Sequence, residues 1–135
     1  MASLISVYIG GVLTILMAFL HTRYYKMFNW KTDFEKVSIA SARIIYTLHI
    51  ALLLLFFIIG LISILYANEL SQSNGLANGL NILLTLFWIW RFIWQFSYFK
   101  REKTQKLPFI VILLSTLFVL LIISYLIPVV YRFLK

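Results

Sequence analysis

The residues in this sequence best equipped for chemistry are two histidines and one arginine, and all three stand inside or at the end of long apolar runs: His21, His49 and Arg91. Histidine can ligate a metal or relay a proton near neutral pH. Tyr46 precedes His49 by three positions, Gln95 follows Arg91 by one helical turn, and Ser115 lies within the last apolar run. Burying Arg near a bilayer centre costs from ~3 to over 10 kcal/mol, depending on method, so such a residue faces the bundle interior and has a partner. The four acids, Asp33, Glu35, Glu69 and Glu102, all lie in connections. The group that compensates Arg91 must therefore be backbone carbonyls, Gln95, aromatic faces, a lipid phosphate, a bound anion, a cofactor carboxylate or another subunit.

Several chemistries use such a set. His21 and His49 on neighbouring helices could be the axial ligands of a haem b, with Arg91 pairing a propionate; four-helix membrane bundles host such sites. A quinone or other small redox ligand would fit the same pocket. An interior Arg beside His and Gln also suits a phosphate or carboxylate, as in an anion or lipid-headgroup site. Against these stands plain packing. Phe87, Trp88 and Trp94 surround Arg91 at helical spacing and can offer cation–π contact, the long side chain can snorkel, and a membrane histidine can be a hydrogen-bonded packing residue. Catalysis by this chain is not expected. It has no paired carboxylates, metal-ligand spacing, Gly-rich phosphate loop or Ser–His–Asp set, and nothing marks out Ser115 or Thr116 with His49 as nucleophile and base.

The elements that must position these residues are membrane helices. Of 135 residues, 63% are hydrophobic and 12% charged, against about 45–50% and 25% in ordinary globular chains; the mean hydropathy is +0.97. That excludes a soluble catalytic domain, a disordered tail and a nucleic-acid-binding module. The net charge of +8 does not point to nucleic acid, because the basic residues sit in short connections between apolar runs. Cysteine is absent, so there are no disulfides or thiolate sites. Apolar runs at residues 4–21, 44–67, 80–99 and 107–131 each reach the ~17–25 residues that span a bilayer. Little chain remains for a second domain.

The first connection holds Arg23, Lys26, Lys31, Lys36 and Arg43, and the third holds Lys100, Arg101, Lys103 and Lys106; the second holds none, and Arg132 and Lys135 follow the last run. Basic short connections stay cytoplasmic, so both termini are expected outside a cytoplasmic (inner) membrane. In the first connection Thr32-Asp33-Phe34-Glu35 has capping-box spacing, which predicts a second helix running from near Asp33 to Ala67. At ~1.5 Å per residue that is ~52 Å, longer than a ~30 Å hydrocarbon core, so it would extend on the cytoplasmic side. Tyr24, Tyr25, Phe28 and Trp30 with Lys26 and Lys31 suit an interfacial segment. In the second connection, Asn74-Gly75-Leu76-Ala77 echoed by Asn78-Gly79-Leu80 reads as a turn and a helix start rather than a packing GxxxG.

Small and polar residues mark packed faces in lipid. Ser3, Ser6, Gly10, Thr14, Ala18 and His21 form one stripe. Ala42, Tyr46, His49, Leu53, Phe56, Gly60, Ser63 and Ala67 form the second, and Asn81, Thr85, Trp88, Arg91, Gln95 and Tyr98 the third; the last helix offers Ser115, Thr116, Ser124 and Tyr125. His21 lies at the cytoplasmic end, His49 ~9 Å in, and Arg91 and Ser115 ~13 Å in.

The expected fold is an all-α integral membrane protein, four transmembrane helices in an up-down bundle with the second extended on the cytoplasmic side. The expected function is non-catalytic: an accessory or assembly subunit, or a ligand-binding protein whose pocket holds His21, His49, Arg91, Gln95, Tyr46 and Ser115. Haem- or quinone-based electron transfer is the sharper alternative. Anion or lipid transport would need an oligomer, since bulky aromatics leave four helices little lumen and no intramembrane carboxylate is available for proton coupling. Expected partners are the bilayer, a larger membrane complex or a second copy of the chain, and not nucleic acid.

Overall fold

A computed structural model describes residues 1–27, 29–98 and 109–134, with the Tyr98 side chain left aside. The elements are α1 (Ala2–Met27), α2 (Trp30–Phe34), α3 (Ile39–Leu65), α4 (Ala67–Gln72), α5 (Gly75–Tyr98) and α6 (Phe109–Phe133). Helices α1, α3, α5 and α6 are long and apolar enough to cross a membrane, and the protein is an all-α four-helix membrane bundle. Phe28, Phe99, the basic residues Lys100, Arg101, Lys103 and Lys106, the start of the fourth apolar run at 107–108, and Lys135 lie outside the described residues.

The extended second helix is interrupted. No capping box forms at Thr32. Instead Asn29 starts α2 in a left-handed conformation (φ 51°) without a side-chain cap, and α2 ends after one turn. The chain then turns until Ser38, whose extended backbone (ψ 148°) lets its hydroxyl accept from the Ser41 N–H at 3.1 Å. The serine cap satisfies an otherwise orphaned backbone donor at the start of α3. The 27 residues of α3 still cover ~40 Å and overrun a ~30 Å core. The overrun lies at the Ser41–Arg43 end, because the other end, Ile58–Leu65, is apolar apart from Gly60 and Ser63.

At the far end Tyr66 bends the chain into α4, and Ser73 (φ 53°) and Gly75 (φ 49°) turn it into α5. Nothing lies within 4 Å of where a Cβ on Gly79 would stand, so the Gly75/Gly79 pair is a helix start and not a packing motif. This end is held by polar contacts. The Asn81 amide donates to the Leu70 carbonyl at 2.8 Å and to the Ser73 hydroxyl at 3.2 Å. The Ser3 hydroxyl donates to the Ser71 carbonyl at 2.7 Å, and Arg132 reaches back to the Ser73 carbonyl at 3.1 Å.

Helix α1 is the hub. It packs against α3, α6 and α4, while α5 packs against α6 and α4. Its stripe of Ser3, Ser6, Gly10, Thr14, Ala18 and His21 is buried as expected, but Val7, Gly11 and Met17 are buried too, because two different helices flank it. Gly10 faces α6, where an added Cβ would stand 3.1 Å from Tyr125 Cζ. Gly11 faces α3, where its Cβ would meet the Gly60 carbonyl at 3.0 Å. Below this crossing the Tyr125 hydroxyl lies 3.1 Å from Thr14 Oγ1 and 2.9 Å from Ser63 Oγ. Both of those hydroxyls donate to their own helices, to the Gly10 and Ile59 carbonyls, so the tyrosine's single proton goes to one of them or is shared between the two. Deeper in the same core Phe56, Trp88 and Phe118 stack in sequence, with ring centroids 5.3 and 5.8 Å apart, which closes α3, α5 and α6 on one another.

Candidate functional site

The site is built where the aromatic layer meets the end of α1. His21 is in the last two turns of α1, and its buried ring stacks on that of His49 from α3 with centroids 5.7 Å apart and planes tilted by 25°. Tyr24, one turn beyond His21, lies 4.4 Å from its ring, and the edge of Phe56 meets it at 5.1 Å. Trp30 of α2 packs edge-on against His49 at 4.8 Å. The short helix α2 thus serves as a lid over the histidine pair.

Both imidazoles are tied to backbone carbonyls. His21 Nδ1 is 2.8 Å from the Met17 carbonyl, and His49 Nε2 is 2.9 Å from the carbonyl of His21 itself. A carbonyl only accepts, so each of those nitrogens carries a proton. In the neutral form the lone pairs left over are on His21 Nε2 and His49 Nδ1. The second bond also pins α3 to α1 near its end, through the second lone pair of the His21 carbonyl.

This arrangement does not fit a bis-histidine haem. Axial ligands point one nitrogen each at a single iron from opposite faces of a porphyrin. Here the rings lie against one another, His49 Nε2 is spent on a carbonyl, and Tyr24, Trp30 and Phe56 fill the surrounding space. Among the described residues no group of three His, Cys, Asp or Glu could hold a metal ion.

Arg91 approaches the cluster from α5. It is half-buried, its guanidinium carbon 5.4 Å from the Phe118 ring and 5.8 Å from that of Trp90, and it is in electrostatic range of His21 and Tyr24. Among the described residues no carboxylate pairs with it; the ion pair there is Lys36–Asp33, at 3.4 Å on the surface. Trp88 and Gln95 flank Arg91 on the same helix face, both buried. The Trp88 indole N–H is sealed in the core without an acceptor.

Of the other residues expected in the pocket, Tyr46 stands away from the histidines and Ser115 bonds within its own helix. Tyr46 is exposed, and its ring meets Tyr25 at 6.1 Å rather than either histidine. Ser115 is half-buried and donates to the Val111 carbonyl of its own helix at 2.7 Å. Tyr24 and Trp30, in contrast, line the histidine pair although sequence reasoning placed them at the interface. Tyr24 was findable, since it follows His21 by three positions and so shares its helix face; Trp30 was not, because the turn at Asn29 that folds it back has no periodic signal. The set as a whole offers cationic and neutral donors, lone pairs on two imidazoles and aromatic walls. Compared with protein-family models, with curated proteins and with solved structures, the chain finds no significant match.

Proposed function

We propose that the protein is a non-catalytic ligand-binding membrane protein in which Arg91, beside the His21–His49 pair, takes an oxyanion, a carboxylate or phosphate borne by an amphiphile. One observation carries this reading: Arg91 sits within an apolar helix with aromatic faces and no acidic partner among the described residues. Ring faces soften the cost of a buried cation, but they do not fill the five directed donors of a guanidinium. A bidentate oxyanion does.

The reading is tested by native mass spectrometry of protein released from mild detergent. The wild-type chain is expected to carry an acidic amphiphile, and Arg91→Met to lower its occupancy about tenfold, the equivalent of ~1.4 kcal/mol from one charge-assisted contact. Arg91→Lys should fall between, because a point charge replaces a fork. Equal occupancy in wild type and Arg91→Met would leave the arginine a packing residue.

A role as an accessory subunit is compatible with the same pocket. It draws support from Trp90 and Trp94, which stack at 5.6 Å on the outer face of α5 and are half exposed. We further propose an inner-membrane location with the basic connections cytoplasmic, which sets the pocket near the cytoplasmic face. Since the chain lacks cysteine, Asn74→Cys introduces a unique thiol in the second connection, which carries no Lys or Arg. A membrane-impermeant maleimide should label it on intact cells. Labelling only after lysis would invert the topology.

A further inference from the structure

The break between α2 and α3 leaves an open groove on the basic side of the bundle, about 380 Å³ in volume and lined by Tyr25, Phe34, Ile39, Ala42, Arg43 and Tyr46. The groove is separate from the histidine pocket. Its lining is aromatic, with Tyr25 edge-on to Phe34 at 6.2 Å and to Tyr46 at 6.1 Å, and includes the aliphatic Ile39 and Ala42. Arg43 is the one cation on its rim. It is exposed, and among the described residues no carboxylate pairs with it, since Asp33 is engaged by Lys36. The connection as a whole carries Arg23, Lys26, Lys31, Lys36 and Arg43 against Asp33 and Glu35, so the field at the groove is positive.

Position identifies the occupant. Helix α3 overruns a ~30 Å core, and its first two turns therefore stand at headgroup level. A groove there is apolar below and cationic at its rim, and Tyr side chains favour that depth. We infer that it holds one anionic phospholipid, with the phosphodiester on Arg43 and the upper acyl chain against Tyr25, Phe34 and Tyr46. A zwitterionic lipid matches the walls but not the net positive field, because its own ammonium offsets its phosphate. Tyr46 thereby gains a lipid contact in place of the expected pocket role.

The experiment compares lipid retained by the full chain after delipidation from bilayer discs of phosphatidylglycerol or phosphatidylcholine, read by native mass spectrometry. Phosphatidylglycerol should stay bound and phosphatidylcholine should not. Arg43→Gln should lower retained phosphatidylglycerol about fivefold, as expected for one lost charge-assisted contact. Lys36→Gln, which removes equal charge outside the groove, should lower it far less, through the field alone. Ala42→Trp, which fills the groove without altering charge, should lower retention as Arg43→Gln does. The fold-loss of lipid on Arg43→Gln should be the same in an Arg91→Met background, so failure here is distinguishable from failure of the pocket reading. The inference is overturned if Arg43→Gln and Lys36→Gln lose lipid equally, if Ala42→Trp retains it as wild type does, or if both lipids are held alike.

Discussion

Gly60→Leu is expected to abolish the folded bundle in detergent. A Cβ at Gly60 would stand 2.5 Å from Ile15 Cγ1, 2.9 Å from the Gly11 carbonyl oxygen and 3.0 Å from the Ile15 nitrogen. The first contact could relax by a rotamer change. The other two are with backbone, so α1 and α3 would have to move apart. Overpacking a tight core costs ~1–3 kcal/mol and more when backbone must shift, and in lipid no hydrophobic force draws the helices back together. The separation would also carry Ser63 away from Tyr125 and His49 away from the His21 carbonyl. Gly79→Ala is the matched control. Its Cβ meets nothing, and alanine gains up to ~1 kcal/mol over glycine in a helix. Melting followed by size-exclusion in detergent should show Gly60→Leu aggregated and Gly79→Ala at or above wild-type stability; a monodisperse Gly60→Leu would disprove the close crossing.

The second large effect is at Trp88. Trp88→Ala is expected to cost ~3 kcal/mol, the lower part of the range for large aromatics, because lipid returns part of the transfer free energy while the lost dispersion contacts and the cavity remain. The ring is 1% exposed and bridges Phe56 to Phe118. Trp88→Phe should be far milder, about 1 kcal/mol, since a volume-reducing aromatic swap keeps the stack. The indole N–H has no acceptor, so removing it forfeits no hydrogen bond. Equal destabilisation by the two variants in the same melting assay would mean that the N–H has a partner.

The four spans and most of their inward stripes were legible in the sequence because small and polar residues are rare enough in an apolar helix to mark a face. His49, Phe56, Gly60 and Ser63 were read in this way, as were Asn81, Thr85 and Gln95. Gly11 was missed because a single stripe describes one contact, whereas α1 is flanked on two sides. The break before Ile39 was missed for a different reason. Thr32 and Ser38 are both good caps, and nothing local ranks them; the choice falls to the packing of Trp30 on His49, a contact between distant parts of the chain. Of the expected cluster, the His21 and His49 rings meet, and Arg91 lies within electrostatic range of His21. The ring-to-carbonyl bonds that occupy the two histidines depend on where α1 ends against α3, which periodicity does not encode.

The hydroxyls of Thr14 and Ser63 bear on biogenesis. Chains emerge from the amino terminus, so α1 and α3 can pair in the bilayer well before α6 has been synthesised. An unpartnered donor stranded in hydrocarbon during that interval would be costly. Neither residue is stranded, because each gives its proton to a carbonyl one turn back in its own helix. The early pair is therefore self-sufficient, and what it presents to the late-arriving helix is two acceptors. Tyr125 arrives with the donor, so the last span docks by adding a hydrogen bond without breaking one, and correct assembly needs no rearrangement of the helices already in place.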